Sequence, residues 1–189
     1  MTRADQADRA RFEALYRETR VAILAYLVRR TASPEDAADL LSEVYVIAWR
    51  RIRDVPRGDE ARLWLFGVAR RVVASHRRHA RKATQLAAAL EQTLAVLPDV
   101  LSSTNAPDPR VEAVAAALAS LEHGDRELLM LSAWEDLSPT EIAVVVGRPA
   151  GVVRVRLHRA RRRLLRKLVE LTGQQAERSH LHELGVAPD

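Results

Sequence analysis

The sequence has no cysteine. That excludes a disulfide framework, a thiol nucleophile and any zinc site built on thiolates. Aromatic residues make up only 4% of the chain, although 48% of residues are hydrophobic. A core supplied by Ala, Leu and Val with so few rings suits packed helices rather than a sandwich or barrel. Seven glycines and eight prolines in 189 residues leave little material for the dense turns of an all-β chain. No apolar run approaches membrane-spanning length, so no membrane insertion is expected. The opening MTRADQADRARF is polar and charged, unlike a signal peptide. These absences predict a soluble, cytoplasmic, all-α protein whose length allows one domain or two small ones.

What the chain does have is concentrated positive charge. Lys and Arg number 30 against 25 Asp and Glu, a formal net charge of +5, which favours a polyanionic partner. The densest stretch is LSPTEIAVVVGRPAGVVRVRLHRARRRLLRKLVEL, Leu137 to Leu171. Ser138-Pro139-Thr140-Glu141 is a capping box with proline at the first helical position. Gly147-Arg148-Pro149 ends that short helix, because glycine accepts a left-handed turn and proline cannot continue the ladder. A longer helix follows, with Val153, Leu157, Ala160, Leu164 and Leu168 forming one apolar stripe. Its other faces carry Arg154, Arg156, Arg159, Arg161, Arg162, Arg163, Arg166 and Lys167, with no acid among them. A short helix, a tight turn and a basic second helix form the pattern of a DNA-reading helix-turn-helix. The bland reading is a solvated charged face, but an unrelieved cationic helix repels itself unless an anion lies nearby.

In chain order, Phe12 to Val28 reads as a helix with Phe12, Leu15, Tyr16, Thr19, Ile23, Tyr26 and Leu27 on one side. Ser33-Pro34-Glu35-Asp36 is a second capped start. The helix it opens, DAADLLSEVYVIAWRRI, is expected to bury Ala37, Leu40, Leu41, Val44, Ile47 and Ala48. Asp36, Asp39 and Glu43 fall on its outer side, where a solvated or protein-docking face outweighs metal or acid–base chemistry because no His or Cys clusters with them. After the turn Val55–Asp59 comes ARLWLFGVARRVVASHRRHARK, with Leu63, Leu65, Phe66, Val68, Ala69, Val72 and Val73 on its apolar side. Trp64 heads this helix, and Arg70, Arg71, Arg77, Arg78, Arg81 and Lys82 follow. Arginines on phosphates with a ring stacked on a base would suit single-stranded or distorted DNA; equally, Trp64 is accounted for as core. His76 and His79 have ligand-like spacing, but the surrounding arginines would repel a metal ion, and no metal or other cofactor is expected.

Leu86, Leu90, Leu94 and Leu97 give a weakly amphipathic continuation, and Pro98 with Ser102 to Pro109 reads as a linker. Arg110–Leu121 and Gly124–Trp134 are two further helices, placed to pack under the helix-turn-helix. Thr172-Gly173 is expected to end the last helix, leaving a polar tail whose His180 and His182 carry no assigned role.

DAADLLSEVYVIAWRR, then RLWLFGVARRVVASHRR, then GVVRVRLHRAR after LSPTEIAVVVG, resembles the extracytoplasmic-function (group 4) sigma factors of bacterial RNA polymerase, within the sigma-70 family. The resemblance covers roughly Phe12–Lys82 and Val111–Leu171. It implies two helical domains: region 2 over residues 10–82 and a region 4 helix-turn-helix over 111–171, joined by a linker over 83–110 and followed by a tail over 172–189. It further implies promoter DNA and the polymerase core as partners, through the β′ clamp coiled coil and the β flap, and often an anti-sigma factor. Carried over, core docking falls on Asp39, Leu40, Glu43 and Val44, supported by Trp49. Contacts at the −10 element fall on Trp64, Arg70, Arg71, Ser75, Arg77 and Arg78. Many members have Asn or Asp where this chain has Arg71 and Ser75, which leaves the identity of the flipped base open. Contacts at the −35 element fall on Arg154, Val155 and His158, with Arg156 and Arg159 beside them.

The implied function is promoter recognition and strand opening, with no catalysis by this chain. A self-sufficient helix-turn-helix regulator is the alternative, although it gives no role to the acidic helix or to Trp64. An enzyme would need a nucleophile–base pair, a phosphate-cradling glycine loop or a metal cluster, and none is visible in the sequence.

Overall fold

The computed structural model describes residues 3–91 and 109–183, with side chains over 4–80 and 113–173. These residues form seven α-helices: α1 Arg3–Val28, α2 Pro34–Arg50, α3 Glu60–Glu91, α4 Pro109–Ala119, α5 His123–Ala133, α6 Pro139–Val146 and α7 Ala150–Glu183. The described residues contain no strand, in keeping with an all-α fold. They fall into two compact units, α1 to α3 in the first and α4, α5, most of α6 and α7 in the second.

In the first unit the three helices pack against one another pairwise. Leu15, Thr19, Ile23, Tyr26 and Leu27 of α1 are buried, as are Ala37, Leu40, Val44, Tyr45 and Ala48 of α2. From α3 come Leu63, Leu65, Phe66, Val68, Ala69, Val72 and Val73, all buried. The helical stripes read from the sequence therefore face this core, with Tyr16 turned outward and Phe12, Leu41 and Ile47 at its margin. The sequence pattern predicts α1 from Phe12, whereas the helix starts at Arg3. Tertiary contacts support the extra turns: Arg53 pairs with Asp8 at 2.9 Å, and Arg11 donates to the carbonyls of Val55 and Pro56. Neither contact has a local signature.

The start of α2 follows its sequence signal closely. Ser33 is extended, and its hydroxyl accepts from the Asp36 amide at 3.0 Å. The turn before α3 rests on Gly58, whose φ of 64° favours glycine.

In the second unit α4 and α5 both pack on α7. Ala113, Ala117, Leu121, Leu128, Leu129 and Leu131 are buried, together with Ile142 and Ala143 of α6. Arg126 closes the end of α4 by donating to the carbonyls of Leu118 at 2.7 Å and Leu121 at 3.1 Å. This satisfies acceptors that a helix terminus leaves open. The tail expectation needs correction, because α7 continues through Gly173 to Glu183. One glycine costs about 1 kcal/mol in a helix, too little to stop it without a partner for the left-handed turn. Of the linker expected over 83–110, residues 83–91 continue α3 and Pro109 and Arg110 open α4, while 92–108 lie outside the described residues, as do the side chains of Arg81 and Lys82.

Candidate nucleic-acid interface

The capping box of α6 forms as its sequence implies. The Ser138 amide donates to Glu141 Oε2 at 2.8 Å, and the Glu141 amide donates to Ser138 Oγ at 3.3 Å. Gly147 then takes φ of 65°, its amide donating to the Val144 carbonyl and that of Arg148 to the Ala143 carbonyl. This pair of bonds is a Schellman ending, and it favours glycine at the left-handed position. The backbone therefore turns directly into α7.

On α7, Val153, Leu157 and Ala160 are buried at 1%, 2% and 0% exposure. Leu164 and Leu168 continue the stripe half-buried. At about 100° per residue, Val155, His158 and Arg159 project from the side opposite this stripe and Arg154 from its flank. All four are exposed. The face combines two guanidiniums, an imidazole and the small apolar surface of Val155. Guanidiniums serve guanine edges and phosphates, and a valine serves a thymine methyl.

Arg156 departs from this group. Its Nη2 and Nε donate to Asp125 Oδ1 at 2.8 and 3.2 Å, which turns it toward α5. This pairing sets Arg156 apart from Arg154, Val155, His158 and Arg159, beside which it was expected at the −35 element, although its side chain stays 45% exposed. Arg163 makes the same turn, with Nη1 donating to Asp125 Oδ2 at 2.5 Å. Arg161 donates to Ser132 Oγ at 3.0 Å, while Arg159, Arg162 and Arg166 project into solvent. Asp125 was not singled out from the sequence. A lone acid in the first turn of α5 reads as a macrodipole partner, and only tertiary pairing shows whom it meets.

The basic face of α3 divides in the same way. Arg70, Arg71 and Arg78 are exposed, whereas Arg77 is part-buried and donates through Nη2 to the Arg30 carbonyl at 3.0 Å. That bond ties α3 to the turn after α1 and occupies one nitrogen of Arg77, which was expected among the −10 contacts. Ser75 is part-buried, its carbonyl accepting from His79 Nδ1 at 2.9 Å. Trp64 is half-buried, with the Arg51 guanidinium carbon 5.8 Å from its ring centroid. It is neither fully core nor free, so part of one ring remains presented beside a cation. His76 lies 3.9 Å from Asp36 across the α2–α3 contact. The described residues contain no cluster of three or more groups able to hold a metal ion.

On α2, Asp39 and Glu43 are exposed and Trp49 is 45% exposed, its ring edge-on to Phe12 at 5.3 Å. Leu40 and Val44, at 5% and 0%, point into the unit's own core. They lie beneath the exposed residues Asp39, Glu43 and Trp49 and add nothing to that surface. The same face adds Val46, which is 46% exposed. Val46 was outside the expected core of this helix and was given no role, because a single valine on a polar face carries no signal of its own. No helix among the described residues is long and apolar enough to cross a membrane.

Two family models match the chain in the order of its two units. Sigma-70 region 2 matches residues 15–83, and Sigma-70, region 4 matches residues 111–164. The ECF RNA polymerase sigma factor SigL of Mycobacterium tuberculosis is 33% identical over 171 residues, covering 89% of this chain and 94% of that one. RNA polymerase sigma factor YlaC of Bacillus subtilis is 29% identical over 162 residues, covering 84% of this chain and 92% of that one. Among solved structures, the sigma factor RpoE in complex with the anti-sigma factor NepR from Bartonella quintana superposes with a TM-score of 0.61. It is 21% identical, covers 83% of this chain and 96% of that one, and shows a shared fold. A region 2 unit ahead of a region 4 unit, matched along nearly the full length of a relative one-third identical, places this chain in the sigma-70 family: it belongs to the ECF sigma factors, transcription initiation factors of RNA polymerase rather than enzymes.

Proposed function

We propose that this chain directs RNA polymerase to its promoters by reading the −35 element with α7 and opening the −10 element with α3. In this reading residues 10–82 dock on the core and separate the strands, residues 111–171 read the upstream element, and 83–110 join them. The observation that carries it is the α7 face. Arg154, Val155, His158 and Arg159 are exposed together behind a capped helix and a glycine turn, with no acid among them. Such a face offers edge contacts worth about 1–3 kcal/mol each in the major groove. The exposed cations Arg162 and Arg166 farther along suit sequence-independent phosphate contacts.

On α3, Arg70, Arg71 and Arg78 are placed to hold displaced strand phosphates, and Trp64 to stack where a base pair parts. On α2, Asp39, Glu43 and Trp49 offer an acidic and aromatic face to a basic partner surface on the polymerase core. The solved relative RpoE is held by an anti-sigma factor, and an inhibitor of that kind is proposed here too. The decisive experiment reconstitutes holoenzyme from this chain and core polymerase, finds its promoters by sequencing the transcripts it starts, and substitutes each −35 base in turn. Arg154→Ala and His158→Ala should each flatten the profile at one position and leave the others alone. Unchanged profiles for both would remove α7 from −35 reading.

A further inference from the structure

A buried acid seated against the cations of α7 comes from α5. Asp125 has a side chain only 4% exposed, and both its oxygens are occupied by arginine donors. Oδ1 takes Nη2 and Nε of Arg156, and Oδ2 takes Nη1 of Arg163. Arg156 and Arg163 are seven residues apart, so they lie within about 20° of each other around α7 and nearly two turns apart along it. They share the flank turned toward α5, away from Arg154, Val155 and His158. Gly124 completes the seat, since a Cβ there would come within 2.8 Å of Arg156 Nη2. Forked, charge-assisted bonds of this kind fix the donor as well as satisfy it.

We propose that Asp125 is a positioning residue that withholds Arg156 and Arg163 from DNA phosphates and so sets how strictly α7 reads base edges. The proposal deepens, and rests on, the reading of α7 as the −35 helix. Two consequences follow from removing the carboxylate charge. Two guanidiniums become available to phosphates, which adds affinity for any sequence. The helix also loses two anchors that fix its roll, so Arg154 and His158 lose their aim and only the matched promoter suffers. Together these lower the ratio of matched to unmatched binding.

The test uses holoenzyme reconstituted with full-length chain, on one of its promoters and on the same promoter with the −35 bases replaced. Asp125→Asn should make binding to the replaced promoter fall about tenfold more than wild type between about 50 mM and about 200 mM salt, as two added phosphate contacts require. Its matched-to-replaced ratio should fall at both salt concentrations. A purely structural role would lower the melting temperature and leave slope and ratio as in wild type; that outcome overturns the proposal. Arg163→Gln keeps the test alive if the Asp125 variant does not fold. Its salt slope should equal that of wild type, because Arg163 is already on Asp125; a slope lower by about 0.9 would put it on phosphate and overturn the idea. Arg154→Ala separates the two layers. If it alters the −35 profile while Asp125→Asn does not, the reading of α7 stands and the proposal falls. If Arg154→Ala alters nothing, the reading fails and takes the proposal with it.

Discussion

Neighbouring residues on α2 have opposite fates, and the contrast can be measured. Leu40 and Val44 are sealed in the core of the first unit, while Asp39 and Glu43, one position away from each, face solvent. Leu40→Ala should therefore cost about 2–5 kcal/mol of stability, from lost transfer energy and the cavity left behind. The double reversal Asp39→Lys with Glu43→Lys should move stability by less than about 0.5 kcal/mol each and yet block co-purification with core polymerase. A folded double mutant that still co-purifies at wild-type level would remove α2 from docking. Tyr45 gives a second residue-level test. The single Thr19 hydroxyl proton goes to the Leu15 carbonyl at 2.6 Å, so Tyr45 must donate to Thr19 across 2.8 Å. Burial, the largest cause, pushes the Tyr45 phenol above its ordinary value. A folded pKa raised above the unfolded value of about 10 gives stability that is complete below that pH and lost as pH rises through the folded value. Denaturant titrations should show wild type losing more stability above pH about 10 than Tyr45→Phe does. Parallel losses in the two proteins would show that Tyr45 titrates freely.

At the scale of helices, what could be read in the sequence depended on how local its cause is. The caps at Ser33 and Ser138 and the turn at Gly147 close within five residues, and each formed where its residues stand. The stripes of α2, α3 and α7 were equally legible, since burial follows periodicity. Leu40 and Val44 belonged to the α2 stripe, and their burial follows that periodicity. Partners distant in sequence left no such trace. Asp8 with Arg53, Arg77 with the Arg30 carbonyl, and Asp125 with two arginines of α7 are single polar pairings set by the packed fold. Gly173 shows the reverse error, a local stop signal that the helix overrides. A Cβ at Gly173 would meet nothing within 4 Å. Gly173→Ala should therefore raise the stability of the second unit by about 0.5–1 kcal/mol, because alanine loses less backbone entropy in a helix. A drop in melting temperature would instead place Gly173 in a left-handed cap and end α7 there.

At the scale of the molecule, the two units are proposed to act on separate stretches of promoter, and that division makes a quantitative claim. Trp64 and Arg71 would act where strands part, Arg154 and His158 where an intact major groove is read. Trp64→Ala should slow strand opening, followed by a fluorescent base analogue placed in the −10 element, while leaving recruitment to a pre-opened template unchanged. Arg154→Ala should weaken recruitment and leave the opening rate of bound complexes as in wild type. Because the two residues share no partner and no base, their free-energy effects on transcript yield should add within about 0.5 kcal/mol in the double mutant. Stacking on one base and one edge contact are each worth about 1–3 kcal/mol, so the double mutant should fall well below either single one. A double mutant no worse than the weaker single mutant would mean that both residues serve one step. The division of labour between the units would then be wrong, even with the family assignment intact.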